Sequence, residues 1–112
     1  MYADYLSERS GKEVLETDKG FLTYGFNCLP GVDFPHVYIE DLYVKPEFRK
    51  SHVASIMADG VAELAKMQGI KIMLGSVDCG AKNADASLRV LQAYGMKLYT
   101  ANQNAVYMVK EI

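Results

Sequence analysis

An α/β fold, with one central mixed sheet carrying two main helices, is predicted by three features of the sequence. A strongly β-forming run at 37–44 is followed by apolar positions at steps of three and four, and then by a second apolar run at 70–74. Such a strand–helix–strand unit crosses over right-handedly and makes its two strands parallel neighbours. Hairpin patterns on either side add antiparallel strands, so the sheet is mixed. With 112 residues the chain has room for one domain, residues 1–112.

Each element rests on local chemistry. At the start, Tyr2, Tyr5 and Leu6 fit either one helical face or a frayed strand. Val14-Leu15-Glu16-Thr17 reads as a short strand, Asp18-Lys19-Gly20 as a turn, and 21–26 as the aromatic-rich return of a hairpin. Pro30 and Pro35 punctuate a loop that ends at His36. The run Val37-Tyr38-Ile39-Glu40-Asp41-Leu42-Tyr43-Val44 is dominated by β-branched and aromatic residues. Val53, Ile56, Met57, Val61, Leu64 and Ala65 then predict an amphipathic helix over about residues 51 to 68, with Gly69 as its stop. Residues 70–74 read as a buried strand. Asp85 suits the cap of a second helix whose face is Leu88, Leu91 and Tyr94, closed by Gly95. Residues 97–99 and 106–109 form a last strand pair across a turn containing Asn102-Gln103-Asn104. Met57, Met67, Met73, Met96 and Met108 occupy core-type positions.

Composition excludes several classes. Half the residues are apolar, which removes disorder and disulfide scaffolds from consideration. A net charge of -2 leaves no basic surplus for nucleic acid or an anionic membrane. No apolar stretch reaches spanning length and the first residues carry acid without an apolar core, so the expectation is a cytoplasmic protein with no signal peptide. Cys28 and Cys79 are far apart and lack metal-ligand spacing; they read as small buried apolar residues of a reducing compartment, and no metal site is predicted.

The segment that carries chemistry is Phe48-Arg49-Lys50-Ser51-His52-Val53-Ala54, between strand and helix. A helix that begins here offers free backbone N–H groups and a positive dipole end, which together suit an anion. On its own the pattern reads sooner as a solvated basic helix entry than as an anion site.

The wider pattern, from Glu40 through Arg49 and on to the helix ending in Gly95, resembles the GNAT superfamily of acyl-CoA-dependent N-acetyltransferases over roughly residues 13–112. In that family the loop reads Arg/Gln-x-x-Gly-x-Gly/Ala and wraps the pyrophosphate of coenzyme A. Arg49 matches the first position and Ala54 the last, while His52 stands at the first glycine. The resemblance implies acetyl-CoA as co-substrate, with Arg49, Lys50, Ser51, His52, Val53 and Ala54 around the diphosphate. Residues 39–44 are similar to the strand of small-molecule acetyltransferases, which splays from its parallel neighbour. Leu42, Tyr43 and Val44 would then pair with the pantetheine arm. Asn83 resembles the family's asparagine at the entry to the last helix.

The same resemblance turns the strand's carboxylates toward an acceptor amine. An ammonium is not a nucleophile, so Glu40, Asp41 or a water must take a proton from it, with Glu40 ranked ahead of Asp41 and His36 as a further candidate base. Adjacent strand residues point to opposite faces unless a bulge intervenes. The family's usual acid, a tyrosine four residues before the closing glycine, falls at Leu91, whereas Tyr94 adjoins Gly95 and reads as core packing. Cys79 has no activating neighbour in sequence and reads as structural. About a dozen residues precede Glu13, so the family's N-terminal helices are reduced or absent. The acceptor pocket is then open to a large amine, such as a protein lysine, or covered by a second subunit of a homodimer. The expected activity is acetyl transfer to a primary amine by direct attack. The alternative is a catalytically inactive module of the same fold acting through a protein partner.

Overall fold

The structure, a computed structural model, describes residues 13–49, 52–80, 82 and 84–112; residues 1–12, Lys50, Ser51 and Asn83, on which some of these expectations fall, lie outside the described residues. Among them the strands are β1 (Glu13–Thr17), β2 (Gly20–Phe26), β3 (Val37–Val44), β4 (Ile72–Asp78), β5 (Lys97–Ala101) and β6 (Ala105–Glu111). They form one sheet in the order β1-β2-β3-β4-β6-β5, antiparallel throughout except for the β3–β4 pair. Helix α1 (Val53–Met67) is the crossover between β3 and β4, and α2 (Ala84–Ala93) joins β4 to β5. The mixed sheet with two helices is the predicted architecture.

Both helices cover the same face. Leu22 and Tyr24 of β2, Val37 and Ile39 of β3, and Met73 and Val77 of β4 point to that side. They pack under Val53, Met57, Val61 and Ala65 of α1, and Leu91 of α2 joins the same core. Each such side chain, fully buried, contributes about 1.5–3 kcal/mol relative to exposure. Gly60 lets α1 settle over the edge strand: a Cβ there would stand 3.4 Å from a Leu15 methyl.

Both helices end in the same device. Gly69 has φ 77°, Gly69 N–H donates to Lys66 O and Ile70 N–H to Ala65 O. Gly95 has φ 100°, with Gly95 N–H on Gln92 O and Met96 N–H on Leu91 O. These are Schellman closures, each sealed by a buried apolar residue, Ile70 or Met96. This use of Ile70 is why β4 starts at Ile72 rather than at residue 70, and it runs on to Asp78. Asp85 lies inside the first turn of α2 rather than before it, where its charge complements the helix dipole.

Other expectations change with packing. Cys28 and Cys79 are free and exposed, not buried; both lie in connections just past the ends of strands. Met67 is 82% exposed on the last turn of α1, and Ile56 and Leu64 also face outward. His36, read from the sequence as a further candidate base, is fully buried. Leu29 N–H donates to its Nε2 at 3.2 Å, so Nδ1 carries the proton and donates to Phe34 O at 2.9 Å. Asn27 completes the knot, its Oδ1 accepting His36 N–H and its own N–H donating to His36 O. With both ring nitrogens engaged in the β2–β3 loop, His36 organises that loop and is not a base.

Candidate active site

The geometry that matters is where β3 and β4 part. They pair at only three positions, Val37 with Met73, Tyr38 with Leu74 and Ile39 with Gly75. Beyond Ile39 the two strands diverge, β3 continuing to Val44 and β4 to Asp78. Backbone groups of β3 that would have joined a parallel ladder face this gap, and an extended amide-bearing chain can satisfy them.

A bulge in β3 coincides with the parting. Thr23 of β2 pairs with Asp41 while Tyr24 pairs with Ile39, so Glu40 is the extra residue. The bulge bends the strand and shifts its side-chain parity by one. Val37 and Ile39 reach the helix-covered face before it, and Leu42 and Val44 reach the same face after it. The sequence carried this signal, since the apolar positions 37, 39, 42 and 44 slip by one across Glu40-Asp41.

The carboxylates are held differently. Thr23 Oγ1 donates to Asp41 Oδ2 at 3.3 Å and accepts from Asp41 N–H at 3.0 Å. Asp41 therefore lies with Thr23 on the face away from the helices, and both it and Glu40 are exposed. Thr23 was not anticipated; its only trace in the sequence is a hydroxyl among aromatic and aliphatic neighbours in β2. On the same face Tyr38 reaches over β4 and its hydroxyl hydrogen-bonds Ser76 Oγ. Tyr43 stacks at 5.7 Å on Phe21.

At the open end of the gap a short 3-10 turn, Pro46–Phe48, leads to Arg49. Arg49 Nε donates to Val44 O at 3.0 Å, and its guanidinium lies 5.9 Å from the Tyr43 ring centre. The cation is thus anchored at the mouth between strand and helix. His52 caps α1 with φ 67° and ψ 10°, the left-handed conformation that glycine adopts most readily. Its ring is exposed and gives α1 no side-chain cap, and the first turn of the helix holds no acid. The N–H groups of Val53 and Ala54 are therefore presented where an anion would be welcome. The structure thus gathers Glu40, Asp41, Leu42, Tyr43, Val44, Arg49, His52, Val53 and Ala54 along one line from the parting to the helix entry.

The acid position is filled by carbon. Leu91 is buried, and a Cβ on Gly75 would meet its Cδ1 at 3.6 Å, so Leu91 lies under the last paired residue of β4. Tyr94 points elsewhere. Its hydroxyl donates to Asp59 Oδ1 of α1 at 2.7 Å, and Lys110 Nζ sits 3.8 Å from its ring centre while donating to Tyr94 O. Burial first, then the Asp59 hydrogen bond and charge, push the Tyr94 hydroxyl above its usual pKa. Among the described residues no group of three His, Cys, Asp or Glu side chains has metal-binding geometry.

A sheet parted beside a bulge, with Arg49 and an uncapped helix start at its mouth, is the arrangement that the resemblance to acyl-CoA-dependent transferases implies. The model of the acetyltransferase (GNAT) family matches residues 16–96, and the chain belongs to that family. Acetyl-CoA is the family's co-substrate. No curated protein matches the chain. Among solved structures it is similar to a GNAT-family protein from Desulfovibrio desulfuricans, with TM-score 0.74 and 15% identity over 96% of this chain and 74% of that one. It is also similar to the PaiA N-acetyltransferase of Thermoplasma acidophilum, solved with coenzyme A, with TM-score 0.69 and 16% identity over 96% of this chain and 66% of that one. YncA of Salmonella typhimurium, solved with acetyl-CoA, gives TM-score 0.63 and 15% identity over 96% and 68% of the two chains. At these identities the likeness shows the fold. The chain spans 74%, 66% and 68% of the length of these three structures.

Proposed function

We propose that this chain transfers the acetyl group of acetyl-CoA to a primary amine by direct attack. The observation that carries the reading is the three-residue β3–β4 contact that opens beside the bulged carboxylates. Leu42, Tyr43 and Val44 offer backbone groups to the pantetheine arm. Arg49 and the N–H groups of Val53 and Ala54 receive the diphosphate, with His52 supplying the turn, and Lys50, Ser51 and Asn83 complete the set by resemblance.

Asp41 is the base we favour on geometry, because Thr23 fixes its orientation on the face away from both helices. It removes one proton from the incoming ammonium, which makes the nitrogen a nucleophile. The local negative charge of Glu40 and Asp41 draws cationic amines to the same place. Exposed thiols at Cys28 and Cys79 suit a reducing cytoplasm.

The second reading, a binding module without catalysis, is favoured by one observation: Leu91 stands where the family places its acid. Thiolates leave without much help, which weakens that objection.

The test combines binding and turnover. Acetyl-CoA at a hundredfold excess over Kd should stabilise the fold by about 2.7 kcal/mol and raise Tm. Thiol release with a panel of polyamines, amino acids and peptide amino termini should identify the acceptor. No stabilisation at millimolar acetyl-CoA would favour the module that acts through a protein partner, and so would stabilisation without turnover on any amine.

A further inference from the structure

The missing acid has a counterpart on the opposite face of the sheet. Ile39 and Gly75 are the last pair before β3 and β4 part. Leu91 closes that point from the helix side and offers no proton. From the other side, Tyr38 on β3 extends across the seam to Ser76 on β4, one residue beyond the last pair. Tyr38 is 9% exposed and Ser76 half-buried, so the hydroxyl pair sits at the inner end of the gap rather than on open surface.

We propose that Tyr38, held in place by Ser76, is the proton donor to the sulfur that leaves when the acetyl group is transferred. The inference rests on the reading of the gap as the acetyl-CoA site. A thioester carried into the gap with its acyl end innermost finds Tyr38 and Ser76 within one residue of the last pair, while Tyr43, the third side-chain hydroxyl of β3 and β4, lies toward the mouth. As the carbon–nitrogen bond forms and the carbon–sulfur bond breaks, the electron pair of the latter stays on sulfur. Tyr38 gives its phenolic proton to that thiolate. The second proton shed by the amine nitrogen, after the one taken by Asp41, returns to Tyr38 through Ser76. One proton per turnover leaves to solvent and no other reactant is required.

The arrangement predicts an effect that needs no acceptor and no turnover. A donor at the sulfur stabilises bound thiolate, so the thiol of bound coenzyme A should ionise at lower pH than it does without the donor. We expect the thiolate absorbance of enzyme-bound coenzyme A to titrate about one pH unit lower in the wild type than in Tyr38→Phe. Among the described residues the titratable groups around the seam are Glu40, Asp41 and Tyr43 on β3, Asp78 at the end of β4, Tyr24 of β2, which pairs with Ile39, and Tyr107 of β6, which pairs with Ser76. They are unchanged in the comparison. Tyr38→Phe keeps the buried ring, and Ser76→Ala is the second variant should the first fold poorly.

With the acceptor found by the amine panel, Tyr38→Phe should lower kcat by about 10²-fold with KM for acetyl-CoA little changed. Ser76→Ala should show a smaller loss of the same kind. Superimposable thiol titrations in wild type and Tyr38→Phe, or a kcat within twofold of wild type, would overturn the assignment while leaving acetyl transfer intact. A wild type that stabilises with acetyl-CoA yet acetylates no amine would overturn the proposed function instead, and the proton donor with it.

Discussion

His52 makes opposite demands on its backbone and its side chain. Holding a non-glycine residue at φ 67° costs roughly 1–2 kcal/mol. Glycine would relieve that strain but would lose about 0.5–1 kcal/mol through its freer unfolded chain. His52→Gly should therefore leave the net stability equal or raise it by up to about 1.5 kcal/mol, whereas a β-branched His52→Val should lower Tm by several degrees. Calorimetry of the three proteins checks the order; a destabilised glycine variant would mean that the imidazole makes a contact the backbone does not reveal. The neighbouring carboxylates separate in the same way. Asp41→Asn should cost about 10²–10⁴ in kcat, and Thr23→Val a smaller part of it, with the acetyl-CoA thermal shift retained in both. Glu40→Gln should affect KM for a cationic amine more than kcat. If Glu40→Gln carries the kcat loss instead, the base belongs to the bulge residue.

At the scale of elements, the close approach of β2 and β3 has no slack. A Cβ on Gly20 would fall 2.1 Å from the Tyr43 carbonyl oxygen, a backbone atom that cannot step aside. Gly20→Ala should cost about 3 kcal/mol, read as a drop in urea midpoint, and should weaken acetyl-CoA binding because it displaces the strand segment that lines the gap. Helix against helix, the Tyr94–Asp59 contact predicts a pH dependence. In the unfolded chain tyrosine ionises near pH 10, while folded Tyr94 keeps its proton to higher pH, so the folded state binds more protons there. Stability should then fall as pH rises above about 10, with Tyr24, raised by burial and then by Glu13, adding in the same direction. Tyr94→Phe should flatten that decline, and parallel declines in wild type and variant would show that the hydroxyl does not matter.

Helix α1 and the strands on either side were legible because their periodicities are local; the slip of the apolar pattern beside two acids became a bulge only once the register placed it. The burial of His36 was not legible. Its partners at Asn27, Leu29 and Phe34 are gathered by a loop whose course no periodicity describes. Nor was the Tyr38–Ser76 pair, since it depends on a strand register between segments about forty residues apart.

Over the whole molecule, the three-pair contact between β3 and β4 is a line of mechanical weakness. On one side β1, β2 and β3 form an antiparallel block, and on the other β4, β6 and β5 form a second, with α2 carrying the chain from β4 to β5. Few backbone bonds cross the line; α1 packs on β2 and β3 and α2 on β4, so the apolar core shared beneath the two helices is what bridges it. Amide hydrogen exchange should therefore resolve two protected blocks, with residues 37–39 and 73–75 exchanging through an opening less costly than global unfolding. A molecule that lies along the line, bonded to both banks, would fuse the blocks into one cooperative unit, and the two exchange classes would merge into one.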